Sequence, residues 1–449
     1  MKKLLAMVLA LVMTLSLAVS ANAAFKDVKD INETYAESAE VLANLGVFKG
    51  YEDGSFNPKG DITRAEVAAI VYRIYTGDVK DVQAKNYETY NKFADMAGAG
   101  WAKGYIGYCA NAAFIKGYPD GNFKPAGKVT GYEALTMILR AVGYDKNNEF
   151  TGADWALNVA QIAQKNGILD NVKGVDLNAP ATREVVAELL FRAINVPMVS
   201  YTAAFGYQNV GLSTDANKVF TANKTLGSEV FGLAKVSGEI SEVSYIDKTT
   251  QFTVKSKDTK VTGVDAGFEN IGYEGYVWTV PGAKKTIAAV STVYVTGESL
   301  GNSTNGTAYD KLTKEKDDAY IADTAATVYY NGMLVKSSDV TKYTKLVSNV
   351  GVKVDFVDND HNGKTDVVVI TDYNVAEVAG IVKDNTIGTN AVEKDKYYFH
   401  DLEVTAPKGS FTKVTGVKES ALACDDELAV NDYVTYVEYN DAFYVVKAP

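Results

Sequence analysis

The chain holds 449 residues with 45 basic and 56 acidic side chains, a formal charge of −11. That length leaves room for two to four domains of about 100 to 200 residues each, and the acidic balance argues against a nucleic-acid partner, so any anionic ligand must be met by local arginines rather than by the overall field. With two histidines, and neither an HExxH nor a nucleophile-elbow pattern, no enzyme signature is present, although a glycosidase using carboxylates alone is recognised only by separation in space.

Lys2 and Lys3 precede an apolar run from Leu4 to Val19 and then Ala21-Asn22-Ala23, the layout of a secretory signal peptide over residues 1–23. No later stretch reaches the about 20 apolar residues of a membrane span, so the expected product is exported, with no membrane span after cleavage, and is retained at the surface by other means. Export would permit a bridge between Cys109 and Cys424. Cys109, however, shares a helical face with Trp101, Tyr105 and Ala112 and reads as a buried core thiol.

From Gly50 to Glu66 the chain reads GYEDGSFNPKGDITRAE. Asp53-Gly54 supplies a tight turn, Phe56 an aromatic anchor and Pro58 a block to early helix. Thr63 and Glu66 form a capping box, after which Val67, Ile70, Val71 and Ile74 share one helical face. The unit returns as GYPDGNFKPAGKVTGYE over Gly117 to Glu133, and a reduced copy runs from Gly167 through Pro180 to Thr182-Arg183-Glu184. Asp27, Asp95 and Asp154 stand ahead of the three copies, each after a phenylalanine: Phe25, Phe93 and Phe150. First helices are expected at 34–45, 101–112 and 155–166, and second helices from Thr63, Thr130 and Thr182. No single helix pair could bury such an apolar face alone, so the pairs should pack around one axis.

This order of aspartate, helix, GYxDGxF, proline and TRAE across about residues 25–196 resembles the surface-layer homology (SLH) family. The resemblance implies an all-α triplet of helix–turn–helix repeats, here 24–90, 91–147 and 148–197, with pseudo-threefold architecture. It also implies non-covalent anchoring to a secondary cell wall polysaccharide, often bearing a pyruvate ketal, in grooves lined by the motif arginine, the early aspartate and aromatic rings. By position these are Arg64 and Arg183; Asp27, Asp95 and Asp154; Trp101 and Trp155. The residues themselves suit the task, since guanidinium pairs bidentately with carboxylate and an aromatic face stacks on a sugar. Capping accounts for Thr63 and Glu66 but not for Arg64. Copy two keeps Thr130 and Glu133 around Gly131, and copy three keeps Thr182 and Arg183 but has Val185 for the glutamate, so the arginine varies independently of the cap, as a ligand residue would. Gly131 puts a second-repeat site in doubt, and Gly131→Arg is a change expected to add one. For both tryptophans the alternative is core packing.

Beyond Pro197, residues 198–228 read as a polar linker, 229–300 as a β domain, 301–375 as a hairpin-rich β region and 376–449 as a C-terminal β domain. Antiparallel barrel- or sandwich-like domains are expected. Asn331-Gly332 supplies a type I′ turn. Ala376 to Val382 echoes Ala234 to Ile240, and Asn431 to Val437 echoes Tyr273 to Val280. Between two strands, Asp358, Asp360, Asn362 and Asp366 occupy positions one, three, five and nine around Gly363, an oxygen pattern suited to calcium. Val369 at position twelve departs from an EF-hand, and a plain polar turn is the alternative. Together these features describe a secreted, surface-layer-type bacterial protein that is anchored to an anionic wall polysaccharide and displays a β-rich half for lattice self-assembly, adhesion or binding. The rival is a wall-anchored carbohydrate-active hydrolase, which an acidic pair converging in a concave pocket of the β half would favour.

Overall fold

In the computed structural model the described residues are 25–90, 92–210, 224–255, 257–303, 322–336, 352–382, 396–402 and 411–447; the signal segment 1–23 lies outside them. They form two compact units, residues 1–234 with 278–285, and residues 235–277 with 286–449. Among the described residues no helix is long and apolar enough to cross a membrane.

The first unit carries helices α1 (Glu33–Asn44), α2 (Arg64–Thr76), α3 (Lys103–Asn111), α4 (Gly131–Val142), α5 (Trp155–Lys165) and α6 (Arg183–Ile194). The capping boxes form at α2 and α4: Thr63 accepts from the Glu66 amide and Glu66 from the Thr63 amide, and Thr130 and Glu133 do the same. At α6 the glutamate is missing, and among the described residues the buried Thr182 hydroxyl has no partner. Helix α3 begins later than expected. Gly100, at φ 54° and ψ −124°, interrupts the run, so Trp101 sits in the 3₁₀ segment Met96–Ala102 rather than on the helix.

The residues just ahead of the three second helices close a cycle. The Ile62 amide donates to the Ala181 carbonyl (3.1 Å), the Ala181 amide to Val129 (2.9 Å) and the Val129 amide to Ile62 (3.1 Å). Bridges Asp61–Thr182, Thr63–Lys128 and Thr130–Pro180 flank it, and all three side chains at its centre are buried. The amides of Ala65 and Glu184 donate to the carbonyls of Pro125 and Pro58, and that of Tyr132 donates to Leu177. Leu177, not Pro180, is therefore the third counterpart of the motif proline.

Residues 198–228 are not a featureless linker. Strands β1 (Val199–Thr202) and β2 (Gly206–Asn209) pair as a hairpin, tied to the helical region by the Tyr207 hydroxyl, which donates to Glu149 at 2.6 Å. Nor does the first unit end at 228. Trp278 packs edge-on against Phe191, with centroids 5.2 Å apart, and its indole N–H donates to Glu37 at 2.7 Å.

Beyond the hairpin, β3 (Ala234–Ser244), β4 (Thr249–Val254), β5 (Lys257–Thr262), β7 (Ile287–Ala289) and β6 (Glu274–Pro281) pair in that order, and a β3–β6 pairing closes them into a five-stranded barrel, with β8 (Tyr294–Val295) on β6. Ile240, Phe252, Val261 and Val277 fill its core. A five-stranded sheet follows in the order β11 (Met333–Leu334), β10 (Ala322–Tyr330), β13 (Thr365–Asp372), β12 (Val352–Asp358) and β9 (Glu298–Ser303). The last sheet runs β16 (Phe411–Lys418), β15 (Lys396–Leu402), β14 (Asn374–Val382), β18 (Tyr433–Tyr439), β19 (Ala442–Lys447) and β17 (Leu422–Ala423). The purely antiparallel expectation is corrected at three places, since β5–β7, β10–β13 and β17–β19 pair in parallel. Asn331 (φ 43°) and Gly332 (φ 76°) make the expected turn between β10 and β11. Cys109 and Cys424 are both free thiols.

The internal echo survives with a shifted register. Ile240 exchanges bonds with Gly272 and Tyr273, as Val378 does with Asn431 and Asp432. A register shift follows each residue, before Glu242 and before Gly380. Val378 thus matches Ile240 rather than Val236.

The cycle also decides what Gly131 can become. A Cβ there would lie 2.6 Å from the Leu177 Cδ2 atom and 3.1 Å from its Cβ, so the expectation that Gly131→Arg adds a site is overturned by lack of room. Gly131→Arg should lower the stability of the chain by about 1–3 kcal/mol, read as an earlier denaturant midpoint. An unchanged midpoint would show that Leu177 moves aside freely.

Candidate functional site

The motif arginines are buried, Arg64 at 4% and Arg183 at 3% exposure, each docked on a neighbouring copy of the turn. Arg64 donates through Nε to the Phe123 carbonyl (2.8 Å), through Nη1 to Glu133 (3.1 Å) and through Nη2 to the Lys116 carbonyl (3.5 Å). Arg183 repeats the pattern on Phe56 (2.7 Å), Glu66 (3.0 Å) and Lys49 (3.1 Å). Both guanidiniums lie over the motif rings, Arg64 4.6 Å from the Tyr118 centroid and Arg183 4.6 Å from that of Tyr51. Three of each guanidinium's five N–H donors are thereby committed to the protein.

Glu66 and Glu133 join these arginines to the caps. One oxygen of Glu66 takes the Thr63 amide, while the other takes the Tyr51 hydroxyl (2.8 Å) and Arg183. Glu133 divides its oxygens likewise between Thr130 and the pair Tyr118 (2.6 Å) and Arg64. Burial pushes the Glu66 carboxyl up, but the Thr63 hydroxyl and amide, the Tyr51 hydroxyl and Arg183 together hold it below the ordinary glutamate range. Capping alone is thus an incomplete account of Glu66. The repeated tyrosine of GYxDGxF was the sequence signal for this second role.

Asp27 and Asp95 clasp the same turns from the other side. Asp27 accepts from the amides of Phe56 and Asn57 (both 2.8 Å), and Asp95 from those of Phe123 (2.9 Å) and Lys124 (2.7 Å). The clasps hold Asn57 and Lys124 at positive φ, 55° and 60°. Among the described residues Asp154 has no such partner. It is exposed at the start of α5 without a side-chain cap bond, and Trp155 beside it is half-buried.

Trp101 stands apart from the other tryptophan candidate. It is 63% exposed, lifted by the turn at Gly100, and touches Tyr105 edge-on at 5.8 Å. It borders an open cleft of about 740 Å³ together with Tyr51, Glu66, Asp61 and Lys128. A smaller recess shares Tyr51, Glu66 and Trp101 and reaches Arg183. One exposed aromatic face, a carboxylate, a lysine and a buried guanidinium thus meet along one depression.

In the second unit, the loop between β12 and β13 brings carboxylate oxygens of Asp358, Asp360 and Asp366 within 4.8 Å of one another. Oxygens on opposite sides of a calcium ion, each about 2.3–2.6 Å from it, have that spread. Asp358 is buried, which pushes its carboxyl up, yet the amides of Gly363, Asn362 and His361 hold it below the usual range. Asn362 points its carbonyl oxygen at the Lys364 amide (2.8 Å) and its NH₂ at Asp360 (2.9 Å). Asn359 latches the loop to the barrel, accepting from the Glu274 amide (2.7 Å) and donating to the Gly272 carbonyl (3.0 Å).

With this geometry in place, the comparisons are specific. The family model of the S-layer homology domain matches residues 24–68 and 92–135. The chain is 26% identical over 460 residues to a "Cell surface protein" of Thermoanaerobacter kivui, covering 98% of this chain and 52% of that protein. It is 26% identical over 288 residues to the "Middle cell wall protein" of Brevibacillus brevis, covering 61% and 26%. It is 25% identical over 406 residues to the "Surface-layer 125 kDa protein" of Lysinibacillus sphaericus, covering 84% and 30%. The chain therefore spans about half or less of the length of each of these relatives.

The arginine docking carries a stability test. Arg64→Ala or Arg183→Ala leaves a largely buried glutamate and two carbonyls without their donor and should cost about 3–5 kcal/mol in chemical denaturation. Lysine at either position should restore little, because one ammonium cannot span three acceptors. The Glu66 contribution is present above the ordinary glutamate value of 4.5 and is lost as the pH falls through its lowered folded value. A cost below about 1 kcal/mol at neutral pH would contradict this docking role.

Proposed function

We propose that this wall-associated surface protein, which carries S-layer homology domains, is anchored non-covalently to a secondary cell wall polysaccharide through the depression beside Trp101. The observation that carries the reading is Trp101 itself: a 63% exposed indole beside a recess that reaches Arg183. A sugar ring lies against the indole face, and the guanidinium donors of Arg183 not used by the protein meet an anionic substituent such as a pyruvate ketal. Asp27 and Asp95 contribute by holding the turns that carry Tyr51 and Tyr118. Trp155 and Asp154 mark a second and weaker candidate position, and Arg64 stands to the second turn as Arg183 does to the first.

The third helical segment, with α5 and α6, serves as a third repeat of the same kind. The cycle of Ile62, Val129 and Ala181 supports that reading, because each segment supplies one member. The β-rich unit is the displayed part, a structural module of a surface lattice rather than an enzyme. Its loop at Asp358, Asp360, Asn362 and Asp366 takes calcium once Asn362 turns its oxygen from the Lys364 amide, and Asn359 couples that loop to the barrel.

Trp101→Ala should leave the fold intact, since the ring is mostly in solvent, and weaken sedimentation with isolated cell walls about tenfold or more. The same loss should follow for the parent protein when the walls are stripped of their secondary polysaccharide. Undiminished sedimentation of the variant would place the contact elsewhere.

Calcium is tested separately by thermal unfolding of the full chain. Added calcium should raise the melting temperature by mass action, and Asp358→Ala with Asp360→Ala should abolish that rise. If calcium leaves the parent's melting curve unmoved, the loop is a plain polar turn.

A further inference from the structure

The second unit contains a recess of about 540 Å³ that is separate from both sites described so far. One wall is aromatic: Phe268 and Tyr444 pack with centroids 5.1 Å apart, and Tyr245 meets Tyr444 edge-on at 6.4 Å. Another wall is acidic, and its two carboxylates converge on one glycine. Asp265 accepts from the Gly267 amide at 3.0 Å, and a Cβ on Gly267 would lie 2.2 Å from Glu269 Oε1. Gly267, at φ +86°, is thus favoured by its conformation. Asp425 adds a third acid at the exposed edge.

Lys248 faces this wall. Lys248 holds its ammonium 3.5 Å from the Tyr245 ring centroid and 4.0 Å from Asp265. Lys353, the other lysine near Glu269, is bonded to Asp355 at 2.7 Å. Among the described residues neither Glu269 nor Asp425 has an ion-pair partner. Among the described residues the Tyr444 hydroxyl, in a residue 9% exposed, has no hydrogen-bond partner; the backbone of Tyr245 lies near it without bonding geometry.

We propose that this recess binds a primary ammonium group carried on a sugar ring or a short alkyl chain, held by the Asp265 and Glu269 carboxylates against the aromatic wall. An ammonium has three donors and no acceptor, the complement of two carboxylates. Aromatic faces attract it further. Lys248 shows the arrangement in miniature, with an ammonium of the chain itself set between a ring and Asp265. An anion is repelled by three acids. Burial pushes the Asp265 carboxyl up, with the Gly267 amide and Lys248 offsetting part of the effect, and an incoming cation favours its ionised form.

The test is a titration of the full chain at neutral pH with glucosamine, N-acetylglucosamine and n-butylammonium, followed by ligand-observed NMR. Glucosamine should bind saturably and its acetylated, uncharged form at least tenfold more weakly. Butylammonium binding comparable to glucosamine assigns the site to any ammonium on a short chain; weaker binding assigns it to amino sugars, and either result sustains the proposal. Glu269→Gln, an exposed and nearly isosteric change, should weaken glucosamine at least tenfold with an unchanged circular dichroism spectrum. Equal binding of glucosamine and N-acetylglucosamine, no saturable binding of either amine, or an unaffected Glu269→Gln would each overturn it.

Discussion

Three backbone hydrogen bonds in a triangle, Ile62 to Ala181 to Val129 and back to Ile62, set the geometry on which the rest of the first unit depends. Each joins residues far apart in the chain, and each lies one position ahead of a helix N-cap. The triangle therefore aims α2, α4 and α6 at once and seats each helix start on the turn of another segment. From that seat Arg64 reaches the second turn and Arg183 the first, and the glutamates Glu133 and Glu66 receive them. The buried charges are tolerated because two carbonyls, a carboxylate and a ring face converge on each guanidinium. The groove at Trp101 is a by-product of this seating, since its floor is the same Tyr51–Glu66–Arg183 cluster.

Much of this was legible in the residues. The turn, the caps and the helical faces follow from Gly, Pro, Thr and Glu at fixed offsets, which act locally. The arginine was legible as something beyond capping, but not as a buried interlock, because its acceptors are carbonyls of another segment and a carbonyl leaves no trace in sequence. Leu177 shows the same limit. It stands at the motif-proline position and fills the room beside Gly131, a complementarity visible only when segments two and three meet. Trp101 and Trp155 look alike in the alignment of repeats, yet Gly100 turns Trp101 outward while Trp155 stays half-buried.

In the β-rich unit, alternation of side chains revealed strands but not their partners. Parallel pairs such as β10–β13 join strands whose separation in sequence carries no turn signal. The echo between β3 and β14 was visible as similar residues, but its true register is set by the bulge after Ile240 and Val378, four positions from where the residue match puts it. No sequence pattern singles out Gly267; only the fold shows the two carboxylates and the aromatic wall around it.

The docking of Arg183 also bears on the order in which the anchor region can fold. Its acceptor on Phe56 lies 127 residues earlier in the chain, and closing so long a loop is slow compared with forming local turns and helices. When the chain folds from its N-terminus, the first turn and Glu66 form early and wait with unpaired carbonyls and a carboxylate still open to water. The second segment can dock on Arg64 as it forms, but the triangle lacks its third side until Ala181 arrives. The depression beside Trp101 therefore takes its final form only when the third segment has docked, so helix α6 completes a surface whose exposed ring belongs to an earlier segment.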